Sequence, residues 1–289
     1  MSKNKEPLKS VDTGHEWDGI RELNNPLPRW WVLSLWASVI AVIIYCILYP
    51  SIPLIHGNTK GILGWTAIKE YKEDMAEIES IRAPYEAKLK EMTAAEILAD
   101  TELSGFTQSS IMAVFGTRCA PCHGAGGQGG PGFPVLADDD WLYGGTVETI
   151  QETITYGRLG NMPAHGSFLS KKEINDVVKY VSGLSAGNIY LPGKAVFDGE
   201  TEGAAGCSGC HGEDAKGMQM MGSANLTDNI WRFSGTEEGI RYTITHGVND
   251  DGDPETRKAT MPAFGEKLTE TQIKKLAVLV HQFGGGEKE

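Results

Sequence analysis

The chain has 289 residues, of which 26 are Lys or Arg and 38 are Asp or Glu, so its formal net charge is −12. This acidic balance argues against a nucleic-acid-binding protein, because phosphate backbones require a basic surface. The length is sufficient for about two domains with additional segments. The 36 glycines are unusually many, and they cluster around two cysteine motifs in the second half of the chain.

The first 50 residues divide into a polar and an apolar segment. Residues 1–29 are polar and mixed in charge, and we predict a short tail there. Residues 30–49 (WWVLSLWASVIAVIIYCILY) contain no charged side chain. As a helix they would span ~30 Å, the thickness of the hydrocarbon core of a bilayer. Aromatic residues at both ends suit the membrane interface, and YPSIP at 49–53 is a poor cleavage site for a signal peptide. We therefore predict a retained transmembrane helix over 30–50.

The segment 51–105 is charged and rich in helix formers, with an interruption at Pro84. Apolar residues recur every three or four positions between Ile68 and Ile81, which is typical of an amphipathic helix. We predict a helical connector that rests on another subunit, with Met75 and Met92 as packing residues.

From Phe106 the chain contains a unit of about 90 residues twice. Trp141 recurs as Trp231, Gly157 as Gly247, and the sequence Met162-Pro163-Ala164 as Met261-Pro262-Ala263. A unit of this length indicates a duplicated small domain, because the units of solenoids are shorter. The repeat predicts one domain at 106–187 and a second at 188–286.

Each unit contains the pattern C-x-x-C-H, as CAPCH at 119–123 and CSGCH at 207–211. Two thiols at this spacing can form thioethers with the two vinyl groups of a porphyrin, and the next imidazole can bind its iron. Zinc would need four thiol or imidazole ligands per ion, and a dithiol redox site would not need the histidine. We therefore predict two haem c groups, with thioethers from Cys119, Cys122, Cys207 and Cys210 and proximal iron ligands His123 and His211. The fifth cysteine, Cys46, is predicted to be an unreactive buried thiol.

Met162 and Met261 are the candidates for the distal iron ligands, one per haem. They follow the haem histidines by about 40 and 50 residues, and the proline after each disfavours helix at the methionine. Ligation by His and Met fills both axial positions, which suits electron transfer. Pairing within each domain is the default for a duplicated fold, and exchange between facing domains is the alternative.

Other histidines and methionines compete for these roles. His246 is able to bind iron in principle, but a hydrogen bond to a haem propionate or to the backbone is the favoured interpretation. His165 is expected to be an exposed polar residue. Three methionines follow His211 too closely to cross to the far face of a haem, and they are predicted to line a haem edge or a partner surface: Met218, Met220 and Met221.

Two resemblances define the predicted fold. The order of helix, C-x-x-C-H, Gly-rich loop, Met-Pro and closing helix (170–184 and 269–283) resembles class I cytochrome c. The entry NPLPRWW at 25–31, followed by the apolar span and YP at 49–50, resembles the membrane anchor of the dihaem subunit of cbb3-type cytochrome c oxidases. The predicted fold is mainly α, with one N-terminal transmembrane helix followed by two tandem class I cytochrome c domains.

The resemblance to the cbb3-type family implies an electron relay without catalysis by the chain itself. Electrons would come from a cytochrome c or a bc complex and pass through the two haems. They would then reach a catalytic haem–copper oxidase subunit by way of a monohaem cytochrome c subunit. Because thioethers form outside the cytoplasm, the haem domains would be periplasmic at a bacterial inner membrane, and residues 1–29 cytoplasmic.

Two other functions share the haem chemistry. A dihaem peroxidase would need one iron with an open site and a distal acid–base group, which two Met-Pro loops disfavour. A cytochrome subunit of a periplasmic dehydrogenase would share the haems but not the NPLPRWW anchor.

Overall fold

The computed structural model describes residues 12–203 and 205–287, and they form two units, one ending at Ile81 and one beginning at Arg82. In the first unit, β1 (Asp12–Trp17) pairs antiparallel with β2 (Ile20–Leu23), and helix α1 (Arg29–Leu48) follows. A second hairpin joins β3 (Pro53–Leu54) to β4 (Gly57–Asn58). Helix α2 (Ala67–Glu91) begins in this unit and ends in the next.

Helix α1 agrees with the predicted membrane helix to within two residues. None of its 20 residues is buried by the described part of the chain, and in that part it is the one helix long and apolar enough to cross a membrane. A helix that is apolar on all sides and has no protein partner requires another apolar environment, which a bilayer supplies. Cys46, which lies on α1, is half-buried, whereas the sequence analysis predicts a buried thiol.

Helix α2 runs through Pro84 without a break, in contrast to the interruption expected from the sequence. A proline removes one backbone hydrogen bond, and the helix-forming residues on both sides keep the neighbouring turns helical. The apolar residues Ile68, Tyr71, Ile78 and Ile81 are exposed along the helix.

Among its described residues, the second unit is an assembly of helices with one short strand pair. The helices are α3 (Ala94–Ala99), α4 (Thr101–Arg118), α5 (Ala120–His123), α6 (Val147–Tyr156), α7 (Lys171–Leu184), α8 (Leu191–Phe197), α9 (Ser208–His211), α10 (Glu237–His246) and α11 (Glu270–His281), with a 3-10 turn at Gln219–Met221. Strand β5 (Arg158–Leu159) pairs antiparallel with β6 (Thr260–Met261). The closing helices α7 and α11 begin with capping boxes, formed by Ser170 with Glu173 and by Thr269 with Gln272.

The two hydrophobic cores do not follow the two sequence repeats. In the first core, α3 of the connector and α4 and α6 of the first repeat pack against α11 of the second repeat, around Phe115, Ile150 and Leu276. In the second core, α8 and α10 of the second repeat pack against α7 of the first, around Val177 and Phe197. Each closing helix therefore completes the core of the other repeat.

This exchange crosses the boundary that the repeat suggests between residues 187 and 188. The second core is built from one continuous segment, whereas the first core combines the segment before it with the C-terminus. The connection from α7 to α8 has only six residues, 185–190. A helix–helix connection this short favours antiparallel packing of the two helices it joins, and α7 and α8 form the most extensive helix contact in the unit.

The loops that carry the two Met-Pro sequences are exchanged in the same way. Met261 pairs with Arg158 in the β5–β6 ladder, and Met162 pairs with Val248 at the equivalent position of the other repeat. Three residues after each methionine the loops make a second pair of equivalent contacts. The amide of Phe264 donates to the carbonyl of Ile154, and the amide of His165 donates to the carbonyl of Ile244, both at 3.0 Å.

Two glycines make room for the crossing loops. Gly157 and Gly247 have φ angles of +72° and +67°, which only glycine adopts readily. A β-carbon on Gly157 would lie 2.4 Å from the carbonyl oxygen of Met261, and one on Gly247 would lie 2.3 Å from that of Met162. The glycines that recur in the sequence thus mark where each methionine loop passes close to the other repeat.

Candidate haem sites

The first C-x-x-C-H motif lies in the wall of a cavity of about 540 Å³, and the second lies in the wall of a cavity of about 250 Å³. In both motifs the chain forms one helical turn, with the histidine amide donating to the carbonyl of the first cysteine at 2.9 Å. Residues three positions apart share a face of such a turn. The turn therefore presents both thiols on one side, with the histidine next to them.

The two histidines are oriented by the same hydrogen bond. Nδ1 of His123 lies 3.1 Å from the carbonyl oxygen of Pro134, and Nδ1 of His211 lies 2.9 Å from that of Ala224. Because a carbonyl only accepts, Nδ1 carries the proton and Nε2 keeps its lone pair for a metal. Burial lowers the pKa of both imidazoles, which keeps them in the neutral form that ligates iron.

The cysteines differ from those of a reactive dithiol. Burial raises the pKa of the Cys119 and Cys207 thiols to about 11, whereas disulfide-exchange enzymes lower the pKa of the attacking thiol. This raised pKa disfavours a thiol–disulfide role at both motifs.

Each cavity receives its Met-Pro loop from the other repeat. Met261 lines the cavity of His123, and Met162 lines the cavity of His211. The two loops are therefore arranged as in the exchanged alternative, each in the wall of the cavity that carries the other repeat's motif. The donor set around each cavity (two thiols, one neutral imidazole and one thioether) fits a covalently attached c-type haem.

The remaining sequence candidates have other surroundings. His246 lines neither cavity; its Nδ1 lies 3.0 Å from Asp253 Oδ2 and its Nε2 3.4 Å from Glu255 Oε2. His165 is half-buried in the wall of the second cavity and not exposed as predicted. Its backbone amide donates a hydrogen bond to the carbonyl of Ile244 at the end of α10, which holds it against that helix. Met221 also lines this cavity, as expected of a haem edge, whereas Met220 is 90% exposed.

Charged residues in the cavity walls were not identified from the sequence. The first cavity is lined by the carboxyl of Asp140 and by five basic residues: Arg118, Arg158, Arg232, Arg257 and Lys258. The sequence does distinguish Arg232, because it occupies the repeat position of Leu142, directly after the recurring tryptophan. A charged residue in place of an apolar one inside a matching repeat indicates a ligand contact.

The potential of the first haem is expected to depend on pH through Asp140. Burial, with repulsion from Asp228 and Asp138 and a weaker effect of Asp139, raises the pKa of Asp140 to about 6. Ionisation adds a negative charge at the first cavity and favours ferric iron, so the potential should fall as pH rises from 5 to 7. Because the folded protein holds the proton of Asp140 more tightly than the unfolded chain does, the protonated carboxyl stabilises the fold. This stabilisation is complete below pH 3.8 and is lost as the pH rises to about 6.

A titration of each haem at several pH values checks this prediction. Asp140→Asn should abolish the slope at the first haem, while the exposed Asp139→Asn should retain it. A slope that persists in Asp140→Asn would assign the effect to another group.

Comparison with known proteins gives the family. The family model for the N-terminal domain of cytochrome oxidase-cbb3, FixP, matches residues 9–56. The family model for cytochrome c oxidase, cbb3-type, subunit III matches residues 107–181 and 195–280, which together exceed half of the chain. The chain belongs to the cbb3-type cytochrome c oxidase subunit III family. The resemblance to the dihaem subunit of cbb3-type oxidases, the predicted fold class and the two haem c cofactors are thereby confirmed.

Members of this subunit III family align over nearly the whole chain. The cbb3-type cytochrome c oxidase subunit FixP of Azorhizobium caulinodans is 45% identical and covers 95% of this chain and 93% of its own length. FixP of Bradyrhizobium diazoefficiens is 40% identical, with 95% of each chain covered. Subunit CcoP of Rhodobacter capsulatus is 40% identical over 99% of this chain and 100% of its own. The family is the electron-transfer subunit of the oxidase and not its catalytic subunit.

Proposed function

We propose that this subunit III relays electrons from a cytochrome c or a bc complex into the catalytic subunit of a cbb3-type haem–copper oxidase. The observation that carries the proposal is that each cavity is lined by both a neutral imidazole and a methionine thioether. These two side chains would hold the haem iron from the protein and would leave it no position for a substrate, which suits electron transfer.

The residues of the chain have separate tasks in this relay. Thioethers from Cys119 and Cys122 hold the first haem, and those from Cys207 and Cys210 hold the second. The proximal ligands are His123 and His211, each fixed by its Nδ1 hydrogen bond. The distal ligands are exchanged, Met261 for the first iron and Met162 for the second. When bound, each haem supplies reversible one-electron transfer.

The proposed setting is a bacterial inner membrane that α1 crosses once. Residues 1–29 are then cytoplasmic and the haem domains periplasmic, because thioethers form outside the cytoplasm. The proposed partners are the catalytic haem–copper subunit and a monohaem cytochrome c subunit. From Phe106 onwards the chain has 23 acidic and 15 basic residues. This net negative charge suits a donor with a lysine-rich face, since opposite charges steer encounter.

Cysteine variants of the membrane complex test the proposal. Extraction in mild detergent should co-purify the chain with a catalytic oxidase subunit and two covalent haems. Cys119→Ala/Cys122→Ala and Cys207→Ala/Cys210→Ala should each remove one haem from a haem-stained denaturing gel and abolish oxygen consumption with the donor. The matched control, Cys46→Ala, should keep both haems and full turnover, because Cys46 lies on α1.

A peroxidase would give a different result in the same preparation. A high-spin haem in the resting protein, with rapid peroxide turnover by this chain alone, would contradict the relay. Co-purification with a periplasmic dehydrogenase and no oxidase subunit would favour the third function.

A further inference from the structure

Arg232 is the one basic residue that lines both haem cavities in the described part of the chain. Its backbone is fixed, because the amide of Gly132 donates to its carbonyl oxygen at 2.6 Å. Its side chain reaches Gly160, which also lines both cavities; a β-carbon there would lie 3.9 Å from Nη1 of Arg232. The guanidinium therefore lies in a wall that the two sites share.

This guanidinium has no anionic partner within residues 12–203 and 205–287, and its side chain donates no hydrogen bond there. Arg232 is half-buried, and this burial lowers its pKa. A cation in such a position is unfavourable unless it is paired. Arg232 is therefore ready to bind an anion that enters from the cavities.

The second cavity makes the nature of that anion clear. Among the described residues in its wall, Arg232 is the only Lys or Arg, and none is Asp or Glu. A haem bound there introduces two carboxylates, its propionates, into surroundings with no other cation. A guanidinium carries five N–H donors in a planar fork and can serve more than one carboxylate.

We propose that Arg232 binds a propionate of each haem and so forms an electrostatic link between the two cofactors. The inference requires the two haems of the family and does not depend on the proposed donor or direction of electron flow. A shared cation stabilises ferrous iron on both sides, because the reduced haem carries one positive charge less than the oxidised haem. Loss of Arg232 should lower both potentials, since it removes this charge and leaves propionates unneutralised.

Arg158 and Arg257 distinguish the two haems. Both line the first cavity only. Arg158 is already engaged, with its Nη1 3.1 Å from Glu152 Oε1. Nε of Arg257 is buried without a partner among the described residues, while its Nη2 donates to the Gly239 carbonyl at 3.4 Å and its guanidinium lies over two aromatic rings. With no carboxylate partner there, Arg257 is a second cation at the first haem. The second haem depends on Arg232 alone and should respond more strongly to its loss.

Potentiometric titration of the full chain in detergent, with each haem followed by its own low-spin electron-paramagnetic-resonance signal, tests the proposal. The Cys119→Ala/Cys122→Ala variant, which lacks the first haem, assigns the signals. Arg232→Gln should shift the oxidised-to-reduced ratio of the second haem about tenfold, a fall of 59 mV for one electron, and that of the first haem by a smaller factor. Arg257→Gln should shift the first haem only.

The matched control is Arg241→Gln, which removes the same charge from α10 outside both cavities and should shift neither haem. Arg232→Lys keeps the charge and should restore most of the ratio, so equal shifts in Arg232→Lys and Arg232→Gln would overturn the electrostatic role. An unchanged second haem in Arg232→Gln would overturn the binding site, and a shift confined to one haem would overturn the shared binding.

If Arg232→Gln fails to retain haem, haem retention by two other variants decides the question. Retention by Arg232→Lys but not by Arg232→Met supports the carboxylate contact, and retention by Arg232→Met overturns it.

Discussion

Met261→Ala is expected to make the haem attached at residues 119–123 high-spin while the haem at 207–211 stays low-spin. The reason is the exchange of the two Met-Pro loops, which brings Met261 to the cavity of His123. Without the thioether the first iron has one open position, and His246 is not in the cavity wall to replace it. The potential of the first haem should fall, since Met ligation favours ferrous iron. Carbon monoxide should then bind this haem rapidly and completely.

Single-haem backgrounds make this prediction decisive. In Cys119→Ala/Cys122→Ala, which retains only the second haem, Met261→Ala should have no spectral effect, while Met162→Ala should abolish the near-infrared band of thioether-bound ferric iron. Met220→Ala is the matched control, because that methionine is 90% exposed and should change neither haem. A spectral change from Met261→Ala in this background would show that each repeat ligates its own iron.

Truncation after Arg257 is expected to disrupt the first haem site and spare the second. The deleted segment contributes seven buried apolar residues to the first core: Phe264, Ile273, Leu276, Ala277, Val278, Leu279 and Val280. At ~1.5–3 kcal/mol for each of the six large apolar side chains, the loss is comparable to the whole ~5–15 kcal/mol by which a typical domain is stable. None of the buried residues of the second core lies beyond Ile244.

Limited proteolysis with haem staining measures the outcome. The truncated chain should yield a protected haem fragment that contains residues 207–211, while the haem at 119–123 becomes accessible to protease and turns high-spin. Point variants serve as matched controls in the full chain: Leu276→Asp should affect the first haem and Val177→Asp the second. Loss of the second haem after truncation would contradict the exchanged packing, since tandem independent domains would behave in that way.

Local patterns in the sequence predict most of the elements of this structure. The apolar run gives α1, the capping boxes at Ser170 and Thr269 give the starts of α7 and α11, and C-x-x-C-H gives the single turns that present thiols and imidazole. Each of these depends on neighbours within a few positions. The Met-Pro loops lie in the walls of the two cavities, Met261 in the first and Met162 in the second.

The pairing of the loops was beyond such patterns. The two repeats have equivalent hydrogen-bonding positions, so Met162 satisfies the same backbone partners on either repeat. What distinguishes the pairings is the six-residue connection 185–190 and the longer loop after Val248, whose Asp250 accepts a hydrogen bond from the amide of Ala164 at 2.6 Å. The shared position of Arg232 follows only once that pairing is known.

The exchange of the closing helices also sets an order of completion during synthesis of the chain. The second site uses Leu142 and residues 160–248, and all of its core precedes the last thirty residues. The first site needs those final residues, although its cysteines precede those of the second site by almost ninety positions. The first motif therefore stays without its complete core for longer, and the carboxyl end of the chain closes the site that was begun first.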